Sequence, residues 1–151
     1  MNNHQSPIYQ TMRIVFRSFV MSTHTHRKPE EKRTDLNAKI IEILRTVPNE
    51  KGFHFHTALN NFTRETATSL DTFENKLQIV PADAINFHLQ RGDFQKWIKT
   101  TIGDDELAKR VSSIILKLPA EDMRKELLAI VQTRITELKR ELPHQLSHTH
   151  S

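Results

Sequence analysis

The sequence predicts an all-α protein, an irregular bundle of five or six helices closed by a long C-terminal helix. Three observations predict it. Apolar residues recur at three- and four-residue spacing along most of the chain beyond residue 29. The glycines and prolines, 3 and 6 in 151 residues, punctuate these stretches singly. The hydrophobic and charged shares, 36% and 26%, suit a globular body and not a fibrous or wholly disordered chain. A chain of this length is expected to enclose one core. Residues 30–143 therefore read as a single helical domain, between a disordered basic tail at residues 1–29 and a disordered His-rich tail at residues 144–151.

The N-terminal tail holds Arg13, Arg17, Arg27 and Lys28 and no acidic residue, which leaves 18 basic against 18 acidic residues in the remainder. The net charge of +4 is thus a property of the tail. Its apolar stretch, Ile14 to Phe16 with Phe19 and Val20, is interrupted by Arg17 and runs into no clean cleavage site, so a secretory signal ranks below a plain tail. Met21, followed by Ser-Thr-His-Thr-His, is an alternative start.

The first helix is expected behind a Thr34 cap, with Leu36, Ile40, Ile43, Leu44 and Val47 on one face and Pro48 as its stop. Residues 51–62 are harder to place. Phe53-His54-Phe55-His56 alternates with the period of a strand, but no partner strand is evident, and the stretch reads as an extended loop. Thr68 to Asp71 has the form of a capping box opening a second helix through Leu70, Phe73, Leu77 and Val80. Pro81 opens a third, through Ile85 and Leu89, which Gly92 ends in a left-handed conformation. Asp93 is expected to cap a fourth, short helix carrying Phe94, Trp97, Ile98 and Ile102. Gly103 and Asp104 repeat this stop and cap before a fifth helix through Leu107, Val111, Ile114, Ile115 and Leu118. Pro119, Glu121 and Asp122 open the last helix, which Pro143 stops.

Several of these strings together, Ala67-Thr68-Ser69-Leu70, Ile85-Asn86-Phe87-His88, Arg91-Gly92-Asp93-Phe94, Trp97-Ile98 and Gly103-Asp104 with Glu106-Leu107-Ala108, resemble an uncharacterised family of small prokaryotic helical domains. The resemblance covers residues 52–118 and leaves the tail and the last helix outside it. It implies a prokaryotic origin and a domain boundary, and no activity.

Composition excludes several functions. With no cysteine there is no disulfide, thiolate metal site or thiol nucleophile, and a reducing cytoplasm is the expected setting. The longest apolar runs are four or five residues, too short to span a membrane. The isolated glycines form no phosphate-cradling loop, and neither a nucleophile elbow nor a His-Glu-x-x-His pattern is present, so an enzyme is not the expectation.

The leading expectation is an interaction module, a protein–protein adaptor or small homo-oligomer, whose last helix offers Leu128, Val131, Ile135, Leu138 and Leu142 at heptad-like spacing. The same stripe equally suits packing on the protein's own core. A second reading gathers His54, His56, His88 and Asp93 into a nitrogen and oxygen site for zinc, iron or nickel, a divalent transition metal being the only cofactor considered. Against it stands a structural role for each of the four. Third, His88, Arg91 and Trp97 could form a small anion or sugar pocket from a cation, a flat ring and a helix N-terminus, although Trp97 equally suits core packing. Nucleic-acid binding is expected only through the basic tail, because the remainder is neutral.

Overall fold

In the computed structural model, residues 28–142 are described. The expected tails and the nucleic-acid reading that rests on the first of them fall outside those residues, apart from Lys28 and Pro29. The described residues fall into two units, divided between Asp35 and Leu36.

Helix α1, Pro29–Leu44, begins five residues before the expected cap. Pro29 suits a first helical position, where its missing N–H is not needed. Thr34 lies inside the helix, and its hydroxyl donates to the Glu30 carbonyl one turn back. Farther along, Ile40, Ile43 and Val47 are buried as the spacing predicts, while Leu36 is exposed.

The all-α expectation fails at residues 53–67. Past a 3-10 turn, Asn49–Lys51, the expected loop is strand β1, Phe53–Ala58, and it pairs antiparallel with β2, Asn61–Ala67. The fold is therefore mixed: a two-stranded sheet set among six α-helices in the described residues. The pairs Phe53 with Ala67 and His54 with Thr66 give way to His56 with Phe62, so β2 holds two extra residues opposite Phe55. A bulge takes them up. Arg64 adopts a positive φ of 71°, and Thr63 turns its hydroxyl to the Phe55 carbonyl at 2.8 Å, replacing the missing ladder bond.

Helix α2, Leu70–Ile79, starts one residue later than a Thr68 cap requires. Ser69 is the cap, and the box closes through Thr72, whose hydroxyl accepts the Ser69 N–H while Ser69 Oγ accepts the Thr72 N–H. Asp71 has no part in it. Helix α3, Ala82–Arg91, ends as expected at Gly92 (φ 74°), and Gly103 (φ 89°) likewise stops the next helical stretch, both in the region where a side chain is strained.

That stretch is α4, Asp93–Trp97, widened into a π-turn, Ile98–Ile102. Asp93 does not cap it. The cap position is Gly92, and the Asp93 side chain is held elsewhere. Asp104 does cap α5, Asp105–Ser112, accepting the Leu107 N–H at 3.1 Å. Helix α5 stops six residues short of Leu118. Ser112 and Ser113 direct their hydroxyls to backbone carbonyls within the final turns, and the chain continues irregularly to Pro119.

The last helix, α6, Ala120–Glu141, packs against α2, α3 and α5. The inner face of the hairpin completes the core, β1 against α3 and β2 against α2. Phe53, Phe55, Phe73 and Phe94 meet there, with ring centroids 4.9 to 6.0 Å apart. No described helix is long and apolar enough to cross a membrane.

Candidate functional site

Strand alternation sorts the hairpin's side chains. Phe53 and Phe55 point inward and are buried, whereas His54 and His56 lie half-buried on the other face. Both imidazoles contact the Phe62 ring across the ladder, at 5.8 and 5.3 Å between centroids. Each also makes a local bond, His54 Nδ1 with Thr66 Oγ1 at 2.9 Å and His56 Nδ1 with the His54 carbonyl at 3.0 Å. Phe62 remains 44% exposed, and Leu59, in the two-residue turn between the strands, is 72% exposed.

Beneath this face lies His88 of α3, which is buried. Its Nε2 accepts the backbone N–H of His56 at 2.8 Å, and its Nδ1 sits 2.8 Å from Asp93 Oδ2. A neutral ring that accepts at Nε2 carries its proton at Nδ1, which donates to the carboxylate. Burial pushes the His88 pKa down, and the hydrogen bond and charge of Asp93 oppose that shift without cancelling it. Asp93 is balanced by Arg91, whose Nε donates to the same oxygen at 3.0 Å while its guanidinium lies 5.0 Å from the Phe87 ring centre. His88 thus ties the strand edge to the junction of α3 and α4.

The four residues of the metal reading are brought near one another in part. His56 and His88 rings are 6.1 Å apart, and His88 binds Asp93. Both His88 nitrogens are already engaged, so a metal there would have to displace Asp93 or the His56 N–H. No group of three or more His, Asp or Glu among the described residues is arranged to hold a metal ion.

The anion-pocket trio is not one pocket. Trp97 packs on Phe53 and Phe73 and donates its indole N–H to the Lys51 carbonyl at 2.9 Å. The cleft of about 600 Å³ that it lines is shared with Arg45, Glu50, Lys51 and Thr101, and includes neither His88 nor Arg91. The Arg45 guanidinium is itself committed to the carbonyls of Thr101 and Ile102.

On α6, Val131, Ile135 and Leu138 are buried in the chain's own core, and Leu128 and Leu142 pack partly against it. Met123 and Leu127, absent from the expected stripe, extend the buried face.

A family described as a family of unknown function (DUF5752) matches residues 50–149, two-thirds of the chain. The chain belongs to this family. The matched stretch takes in the hairpin and the whole of α6, so the last helix is part of the family domain and does not lie beyond it as the resemblance implied. Helix α1 precedes it. No curated protein and no solved structure matches the chain.

Sequence reasoning missed Leu59 and Phe62. The available signal was a leucine in a turn next to a Phe-His alternation, since turn chemistry favours Gly, Asn and Asp and gives no local reason for an exposed apolar side chain.

Proposed function

We propose that this domain is an interaction module that forms a small homo-oligomer through the outer face of its β-hairpin. The observation that carries the reading is Leu59, 72% exposed at the tip, beside Phe62, 44% exposed and flanked by two imidazoles. Apolar and aromatic side chains clustered at an exposed loop are the usual anchors of a protein contact. Because the face of α6 is committed to the core, the contact moves from the helix to the hairpin.

The second copy is favoured as occupant by charge. Between Phe53 and Phe62 the only ionisable residues are His54 and His56. A two-fold contact sets a patch against itself, and the stretch from Phe53 to Phe62 does so without fixed charge of its own, Arg64 and Glu65 following farther along β2. The bulge at Thr63 to Glu65 also blunts the β2 edge, favouring contact through faces over strand addition.

Light scattering on the full chain is expected to show twice the 17.7 kDa of one chain. Leu59→Ser with Phe62→Ser, at exposed positions, is expected to yield a folded monomer, weakening association at least tenfold. A wild type that stays monomeric at high concentration, or a double variant that still dimerises, refutes the proposal.

A further inference from the structure

The two halves of the hairpin are supported differently. At its base, Phe53, Phe55 and Ala67 are buried in the core and fix both strands. Beyond Phe55, His56 and Thr57 are half-buried and residues 58–62 are exposed. Among the described residues, the hydrogen bonds and ring contacts that tie residues 56–62 to the body outside the hairpin all go to His88. Its Nε2 accepts the His56 N–H at 2.8 Å, and its ring centre lies 6.1 Å from that of His56. The side-chain hydrogen bonds of this stretch close within the hairpin, from His56 Nδ1 to the His54 carbonyl and from Asn61 Nδ2 to Thr57 Oγ1.

The ladder adds little stiffness at the junction. Its register shifts on both sides of His56, and Arg64 turns through a positive φ on the facing strand. A bulged ladder leaves residues unpaired and bends at that point. The half that carries Leu59 and Phe62 is therefore hinged near Phe55 and Thr63 and fastened to the body through one residue.

That fastening responds to protons. Neutral His88 accepts at Nε2 because its Nδ1 donates to Asp93 at 2.8 Å. A second proton turns Nε2 into a donor facing the His56 N–H, and two donors make no bond. The charged and titratable groups facing His88 are Asp93 from α4, His56 from β1 and Arg91 from α3 itself. Of these only Asp93 favours the proton, and it shares the bonded oxygen with Arg91. We propose that His88 is a proton-operated latch, whose protonation frees residues 56–62 from the body and disperses the oligomer built on Leu59 and Phe62. Dispersal rests on the hairpin contact proposed above, whereas the latch belongs to the single chain. Release weakens the contact because a patch no longer held in one orientation has to be ordered again whenever it binds.

The test follows the full chain from about pH 7.5 to 5 by NMR and light scattering, with the His88 ring reporting its own titration. The latch is read in Leu59→Ser with Phe62→Ser, which removes the contact. As His88 takes up its proton, exchange protection of the His56 amide is expected to fall at least tenfold, and residues 57–62 to gain mobility in nitrogen relaxation. The amides of Val131 and Ile135 should keep their protection, which separates local release from unfolding. In the wild type, association should weaken at least tenfold with the same midpoint. His88→Gln, whose amide offers an acceptor and a donor without titrating, should hold association across the range. A His56 amide that stays protected through the His88 titration, or is released only together with Val131 and Ile135, overturns the latch. Wild-type association unaltered by that titration, or acid dispersal that persists in a folded His88→Gln, overturns its control of the contact. Release of residues 56–62 in a chain whose wild type is monomeric at every pH would sustain the latch and refute the hairpin contact.

Discussion

His88 is neutral in the folded chain because its two partners demand different things of the ring. The His56 N–H requires a lone pair at Nε2, and Asp93 receives the proton at Nδ1. A second proton would have to enter at Nε2, facing a backbone donor, in a pocket formed with Phe53, Phe55, Phe87 and Phe94. The charged and titratable groups around it are Asp93, which favours protonation, and His56 and Arg91, which oppose it. The pKa therefore lies below its ordinary value of 6.5, and the unfolded chain takes up the proton first as pH falls. The stabilisation is complete above pH 6.5 and is lost as pH drops from there through the folded pKa. Its slope is at most about 1.4 kcal/mol per pH unit for one proton. Urea unfolding between about pH 5 and 8 should show this decline in the wild type, and His88→Gln should flatten it. An unchanged slope in that variant would remove the role assigned to His88.

Among the elements, α5 and α6 are joined by a pair of a different kind. Asp104 is 1% exposed, caps α5, and receives both Nε and Nη2 of Arg134 at 2.8 and 3.1 Å. Arg134→Met leaves that carboxylate buried and without its partner. The expected cost is about 3–5 kcal/mol in denaturant unfolding. Lys139→Met removes the exposed pair with Asp71 and should cost under about 1 kcal/mol, so equal effects would contradict this account. The elements differ in how far their residues announce them. Leu70, Phe73 and Leu77, or Val131, Ile135 and Leu138, keep a helical period that burial then confirms, and Gly92 and Gly103 mark stops that backbone sterics enforce. Strand β1 shows its alternation, but β2 hides its own. Two extra residues around Arg64 break the period, and a Leu59–Asn60 turn without glycine lacks the usual hairpin signal. Ser112 and Ser113 similarly end α5 through hydroxyl bonds that apolar spacing does not register.

At the scale of the whole molecule, salt tests the physical basis of the proposed hairpin contact. Raising ionic strength from about 0.05 to 0.5 M should leave hairpin-mediated association unchanged or stronger, because it rests on apolar burial. Association that weakens severalfold over this range in light scattering would assign the contact to charge instead. Of the candidate site, the sequence alone showed the Phe-His alternation that sets His54 and His56 apart from Phe53 and Phe55, and it grouped His88 and Asp93 with them as candidate ligands. Spacing along one segment carries that information. It also determined most of the helices and their glycine stops, since these depend on period and on backbone conformation within a few residues. Tertiary structure decided the rest: the pairing of β1 with β2, the burial of the α6 stripe in its own core, the engagement of both His88 nitrogens, and the exposure of Leu59 and Phe62. Each of these depends on which distant residue arrives to fill a hydrogen bond or cover an apolar surface, and local periodicity holds no record of that partner.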